Sequence, residues 1–453
     1  MTSLADKWTN ELKQQDSEDS GRPKWVADLR KAGAVAFSNY GLPHRKVEDW
    51  KYTPLKLLEA RSHGLAQRET ETSAANGEWP DALLDSQNIA LQFRNGVLNP
   101  DFRASEQILI YPLEDALADS SQLSWLEDTL SILPFDGAAR AFSALNTSML
   151  DHGVVIHVPA GADGGTLLVQ YSFDDASPAM LFNTRVIIRL EQGARLQLVE
   201  QFESCAPEGK PARSHALNLV SQVDIGKGAS FSHLRVQQES DETMLVTRTE
   251  CDIHEDAKFE SSLFDWGGAL VRHDNQVRLL GTGASATING AFLQDGSRHI
   301  DHHVLIDHVA GGCKSDQFFR GVLGGKSRGV FNGKALIREG ADGSSVRQSN
   351  ANLLLSPMAE INTKPELEIY ADEVEASHGA TVGQLDRDAI FYLRSRGLSE
   401  EASRNMLTSA FCGAVLERAI EQHDSSECSD IRVELENRLA AALTSLAAGD
   451  GAT

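Results

Sequence analysis

The sequence predicts a mainly β fold with α-helical flanks, centred on a parallel β-helix. Three observations carry this. From about Gly153, short apolar–polar alternations follow one another, separated by glycine and aspartate. A small residue recurs at the turns, at Ala162, Ala194, Ala229, Ala257, Ala284, Cys313 and Ala341, with gaps of 32, 35, 28, 27, 29 and 28 residues. On both sides of this region the apolar residues change to helical spacing. A period near 28 residues marks a solenoid. Each unit, several short strands, buries its apolar face only against its neighbours. A sandwich or jelly roll with accidental spacing is the competing arrangement.

The elements follow in order. Residues 1–150 read as a mainly helical N-terminal domain. Trp25 to Phe37 is amphipathic and is broken by Gly41 and Pro43. GLPHRKVEDWKYTPL, Gly41 to Leu55, is an extended segment, and Gln67 to Glu78 is a polar loop. Ile89 to Arg94 alternates and meets Asn95-Gly96, a hairpin signal. Residues 151–387 form the β-helix core. Val186, Ile188 and Leu190 share a face, as do Leu217, Leu219, Val223 and Ile225. At its end Leu367, Ile369 and Ala371 alternate as a strand. Ser377-His378-Gly379-Ala380 then reads as a tight turn before a cationic helix. Residues 388–453 form a C-terminal helical domain. Ser399 with Glu400 and Glu401 looks like an N-cap and acidic first turn. Leu407, Phe411 and Val415 make one apolar stripe, and Ile431, Leu435, Leu439, Leu443 and Leu446 a second. A helical hairpin is expected, broken at Asp424–Glu427, with a disordered tail from Ala447.

Composition bounds the function. Hydrophobic content of 41% and charged content of 24% are those of a globular protein. No run of eighteen apolar residues or secretory signal stands out, so no membrane span is expected. The net charge of −23 argues against nonspecific nucleic-acid binding and adhesion to anionic membranes. Five cysteines, at 205, 251, 313, 412 and 428, include no CxxC pair. The reading is a reducing, cytoplasmic location without a disulfide framework or paired-cysteine zinc site.

Three motifs could carry chemistry. Gly325-Lys326-Ser327 resembles the end of a P-loop, but Arg320 stands where the pattern needs glycine, and β texture follows. A glycine-rich solenoid turn is the preferred reading. In RHIDHHVLIDHV an extended chain would project His299, Asp301 and His303 to one face and His302 to the other. That set is a weak candidate metal site, against the alternative of solvated or hydrogen-bonded side chains. His378, between Glu375 and Gly379, is the other candidate ligand or proton carrier. No catalytic triad, HExxH or paired-carboxylate motif stands out, so a scaffold or binding protein is favoured over an enzyme.

Long segments resemble a known family. GLPHRKVEDWKYTPL, the run from His299 to Asp386 with VRQSNANLLLSPMAEIN and EASHGATVG, and FYLRSRGLSEEASRNMLTSAF are similar to the SufB/SufD scaffold proteins of Suf iron–sulfur cluster assembly. The SufD branch fits better than the SufB branch. The resemblance implies a right-handed parallel β-helix between two helical domains. It implies pairing with a SufB-like subunit through the β-helix ends, and an ABC-type SufC-like ATPase docked on the C-terminal helices. Arg394, Arg396, Leu407, Phe411 and Val415 are the expected contacts for that ATPase. A homodimer of the isolated chain is a further expectation. A family cluster-site histidine maps onto His378, where a transient iron–sulfur cluster would be shared with the partner and none tightly held by the isolated chain. Two departures stand out. Ala376 replaces the cysteine that some SufD proteins carry there. Asn350-Ala351-Asn352-Leu353 is cysteine-free where a SufB partner would offer its acceptor cysteine, so most cluster ligands should come from that partner. Two other functions compete: a polysaccharide-acting β-helix enzyme using Asp252, Asp256 or Asp265, and a purely structural adaptor.

Overall fold

The computed structural model describes residues 3–15, 22–66, 88–103, 105–121, 123–135, 137–174, 179–205, 214–422 and 428–450. The N-terminal elements are α1 (Leu4–Gln15), α2 (Lys24–Tyr40), α3 (Lys56–Arg61), β1 (Gly64–Leu65), β2 (Ile89–Arg94), β3 (Val97–Leu98), β4 (Leu109–Pro112), α4 (Leu113–Ala118), α5 (Leu126–Ile132) and α6 (Ala141–Ser148). The centre begins with β5 (Gly153–Val158), β6 (Asp163–Asp174), β7 (Met180–Leu190), β8 (Arg195–Cys205), β9 (Ala216–Ile225), β10 (Ser230–Gln238), β11 (Met244–Ile253) and β12 (Lys258–Asp265). It continues with β13 (Leu270–Leu279), β14 (Ser285–Gln294), β15 (His299–His308), β16 (Lys314–Leu323), β17 (Arg328–Ile337), β18 (Ser345–Leu354), β19 (Glu360–Ile369) and β20 (Glu375–Gly383). The chain closes with α7 (Arg387–Ser395), α8 (Glu400–Gln422) and α9 (Cys428–Asp450).

The centre is a parallel β-solenoid. Odd strands β5 to β19 stack into sheet A and even strands β6 to β20 into sheet B, each strand hydrogen-bonded to the one two places on. A coil is therefore two strands of about ten residues, longer and fewer than the several short strands expected. The recurring small residues have a definite job. Ala194, Ala229 and Ala257 each donate their N–H to the carbonyl three residues earlier, at 3.0, 3.0 and 3.1 Å. The residue before each is left-handed, as at Gly193 (φ 69°) and Asp256 (φ 54°). That is the turn geometry that needs positive φ at its third residue. The small side chain points inward and is buried, because a coil corner has no room for more.

Alternate residues face the lumen. Phe93, Tyr171 and Phe202 stack coil over coil, with ring centroids 5.0 and 4.5 Å apart. Leu196, Leu198, Val223, Val277 and Ile306 fill the same core. At the N-terminal end the solenoid is capped. β2 and β3 form the expected hairpin through Asn95 and Gly96, both with positive φ, and β4 adds antiparallel to β5. Leu98 and Phe102 pack onto the core there.

Helices cover both outer faces. Trp8, Phe37, Trp50 and Phe142 pack on sheet A beside Leu181, Ala216 and Leu270. The helical hairpin α8–α9 lies on sheet B. Val415, Leu416, Leu435, Leu439, Leu443 and Leu446 are buried against Val199, Leu234, Phe264 and Leu293. Burial of each such side chain is worth about 1.5–3 kcal/mol. Ser399 caps α8, accepting the Ala402 N–H at 3.0 Å. Helix α9 runs to Asp450, so the tail expected to be disordered from Ala447 is helical that far. The expected loop at Gln67–Glu78, the break at Asp424–Glu427, the side chain of Ile431 and residues 451–453 lie outside the described residues.

Candidate functional site

The solenoid ends openly on its C-terminal side. Among the described residues no strand pairs beyond β19 or β20, so both sheets finish on bare edges. The burial changes accordingly. β16 and β17 are largely buried, whereas eight of nine residues in β20 are exposed. The edges differ in character. β19 carries Lys364, Pro365, Glu366 and Glu368, the charges and proline that discourage strand addition. β20, EASHGATVG, has one acidic residue, at its start, and no proline.

His378 lies in this last strand, not in a turn. The polar, glycine-containing string Ser377–Ala380 suggested a turn, but parallel pairing with β18 holds it extended, with His378 opposite Gln348. In β18 the alternate residues Val346, Gln348, Asn350 and Asn352 are buried and face the lumen, and Asn350 Oδ1 reaches across it to Thr363 at 2.8 Å. The register places Ala376, His378, Ala380 and Val382 on that same face. His378 is exposed because no further coil covers it. Below it Gln348 Nε2 donates to Gln317 Oε1 at 3.0 Å, a pair fully inside the lumen.

Deeper in the lumen is a charge network that the sequence did not reveal. Glu200 Oε2 accepts from Arg235 at 2.7 and 3.1 Å and lies 3.0 Å from His233 Nε2, while Tyr171 donates to its other oxygen at 3.2 Å. Arg235 leads to Thr247 at 3.2 Å, and Thr247 to His273 at 2.7 Å. His273 meets Asp265 at 2.9 Å, and Asp265 faces His302 at 3.4 Å. Burial alone would raise the Glu200 carboxyl, but Arg235 and His233 hold it at about 2. Burial lowers His302 to about 4 against the pull of Asp265. Period-two alternation marked His302 as opposite to its neighbours. The one-coil offset to Asp265 and His273 was the missing signal.

His299, Asp301 and His303 do share the outer face of sheet A. Asp301 is already committed, bonding the Arg272 guanidinium and the Thr53 hydroxyl, with His303 Nε2 at 3.1 Å. Thr53 also meets His299 at 3.0 Å, and Arg272 lies 4.0 Å over the Trp50 ring. These residues clamp the EDWKYT strap to the solenoid. Burial pushes the His299 imidazole down to about 4. Arg272 and His303 outweigh burial and hold the Asp301 carboxyl well below its usual range. Among the described residues no group of three or more His, Cys, Asp or Glu side chains is placed to hold a metal ion.

The expected ATPase contacts are divided. Val415 is fully buried against sheet B and cannot meet a partner. Leu407 and Phe411 are half-buried, Phe411 packing on the same cluster and over Arg320. The excess apolar stripe thus serves the solenoid, which the sequence could not place. Arg394 and Arg396 are exposed, Arg394 paired with Glu400 at 3.1 Å and Arg396 stacked 5.2 Å over Tyr392. Beside them Phe391 and Tyr392 are 74% and 57% exposed. At Gly321–Gly329 the chain turns from β16 into β17 with no helix, and Ser327 donates to the carbonyls of Gln294 and Gly324 at 3.1 and 2.7 Å. No helix among the described residues is long and apolar enough to cross a membrane.

Fold and site together define a β-solenoid platform: one end sealed, one end open with a lumen histidine, and a helical hairpin along one flank. Residues 173–411 match the family described as SUF system FeS cluster assembly, SufBD core domain. The iron–sulfur cluster assembly protein SufD of Escherichia coli K12 is 30% identical over 381 residues, covering 83% of this chain and 85% of the relative. A SufBD family protein of Synechocystis is 27% identical over 91% of this chain and 92% of its own length. SufD of Bacillus subtilis is 25% identical over 88% and 91%. The chain belongs to the SufBD family of iron–sulfur cluster assembly proteins and is SufD-like.

Proposed function

We propose that this chain is the non-catalytic scaffold subunit of a three-component assembly complex. It pairs with a SufB-like subunit through the open end of the solenoid, or with a second copy when isolated. A SufC-like ABC-type ATPase docks at the C-terminal helices, where Phe391, Tyr392, Arg394 and Arg396 offer an aromatic surface with a cationic rim. The iron–sulfur cluster is cargo, built at the covered end with His378 as this chain's ligand or proton carrier and thiolates from the partner. No cofactor is tightly held by the isolated chain, ATP is hydrolysed by the docked subunit, and the complex works in the cytoplasm. Residues 1–150, 151–387 and 388–453 act as helical cover, platform and ATPase dock.

The observation that carries this reading is the position of His378 on the lumen face of an edge that no described strand pairs and whose one acidic residue stands at its start. The His378 side chain would be enclosed only when a second chain adds to β20. The test is co-expression of the chain with its genomic neighbours, comparing wild type with His378→Ala for subunit content, melting and cluster absorption. The variant is expected to assemble and melt normally and to carry far less cluster. An exposed substitution of this kind shifts stability by no more than about 0.5 kcal/mol. Full cluster content in the variant would leave a structural adaptor.

A further inference from the structure

His378 does not stand alone on its face of the lumen. The strand register sets it directly over Gln348, which sits directly over Gln317. In-register side chains on parallel strands are spaced by about 4.8 Å, close enough for amide and imidazole groups to bond along the stack. The two glutamines already do so through Gln348 Nε2 and Gln317 Oε1, 3.0 Å apart.

Two further observations mark this ladder as built. Gln348 is 4% exposed and Gln317 1%, yet Gln348 Oε1 has no hydrogen-bond partner. A buried amide oxygen left unbonded costs stability unless something satisfies it. The ladder also has a cradle. A Cβ at Gly333, across the lumen, would overlap Gln348 Nε2 and come within 2.8 Å of Gln317 Oε1. A glycine at that position leaves the space that the glutamine pair fills.

We infer that Gln348 is the positioning residue for His378: its Oε1, unbonded in this structure, is the acceptor to which the N–H of one imidazole nitrogen turns, leaving the other unprotonated and aimed out of the lumen. A histidine that binds a metal characteristically donates its second ring N–H to an acceptor, which fixes both tautomer and ring direction. Here the acceptor is an amide, so the ring is oriented without gaining a neighbouring charge. The role for the outward nitrogen rests on the cluster-site reading above; the ladder itself does not. When an added strand closes the end, water is excluded and the bond tightens.

The test reads the ring directly. In the full chain, the ring nitrogens of His378 are followed by ¹⁵N NMR at about pH 9, where free imidazole is neutral. They are assigned by their loss in His378→Ala. One neutral hydrogen bond biases the tautomer ratio about fivefold. That bias is expected in wild type and in Gln348→Glu, which keeps an acceptor oxygen at the same reach. It is expected to vanish in Gln348→Leu, or in Gln348→Met should leucine disturb the end coil. A tautomer ratio unchanged by either apolar variant overturns the inference. Cluster content in cells is the separate arm. A bias present beside full cluster content in His378→Ala defeats the cluster-site reading and leaves the ladder standing.

Discussion

Glu200 and His302 lie in one lumen and act on stability in the same direction. The native His302 imidazole is held at about 4, below the ordinary histidine value of 6.5. The unfolded chain therefore takes up a proton that the native chain refuses. This contribution is present above about pH 6.5 and is lost as pH falls toward 4. His63, His299 and His308 are lowered to about 4 as well, chiefly by burial. Glu200, held at about 2, adds a loss at still lower pH. Glu239 runs the other way. Burial raises it to about 7, so its contribution is full below about pH 4.5 and fades as pH rises through 7. The melting temperature should fall steadily between pH 6.5 and 4, and the slope should be shallower in His302→Leu. Calorimetry across that range decides it, and an identical slope in the variant would remove His302 from the account. Alternation in HIDHH was enough to split His302 from His299, Asp301 and His303. Which side was the lumen depended on residues outside the motif, Arg272 beside Asp301 and Asp265 beside His302, and no local pattern contains those pairings.

The element α8 shows how a correct period can mislead about a target. Leu407, Phe411 and Val415 recur at helical spacing, and the stripe is there, but its burial against sheet B leaves Val415 no free surface. The strands it covers, β12, β14 and β16, lie far earlier in the sequence, and a helical period says nothing of its partner. Exposed aromatic anchors therefore replace the stripe as the docking candidates. Phe391→Ala with Tyr392→Ala should lower retention of the ATPase subunit, each lost anchor costing about 1–2 kcal/mol, with melting unchanged. Leu439→Ala should show the opposite pattern, destabilising the chain by about 2–5 kcal/mol through a cavity against the solenoid. Pull-down of the ATPase alongside denaturant melts separates the two. Equal retention by the aromatic double variant would move the dock elsewhere. The coil turns were more legible, because a corner admits only a small inward residue and so repeats in the sequence itself.

At the scale of the whole molecule the two ends of the solenoid are unlike. The cap of β2, β3 and β4 closes one, and β19 and β20 leave the other bare. Val382, on the lumen face of β20, is 49% exposed. Val382→Lys should weaken pairing at that end without altering the melting of the isolated chain, since an inward charge on an edge strand blocks strand addition. Sedimentation of the chain with its partner measures this, and undiminished pairing would place the interface off the edge. The solenoid and its helical flanks could be read from periodicity. The inequality of the ends could not, because it depends on which strands find no neighbour. Its consequence is arithmetic. A rod with two reactive ends adds units without limit and becomes a filament, whereas a rod with one can be joined only once. Sealing a single end thus caps at two the number of platforms that can join end to end.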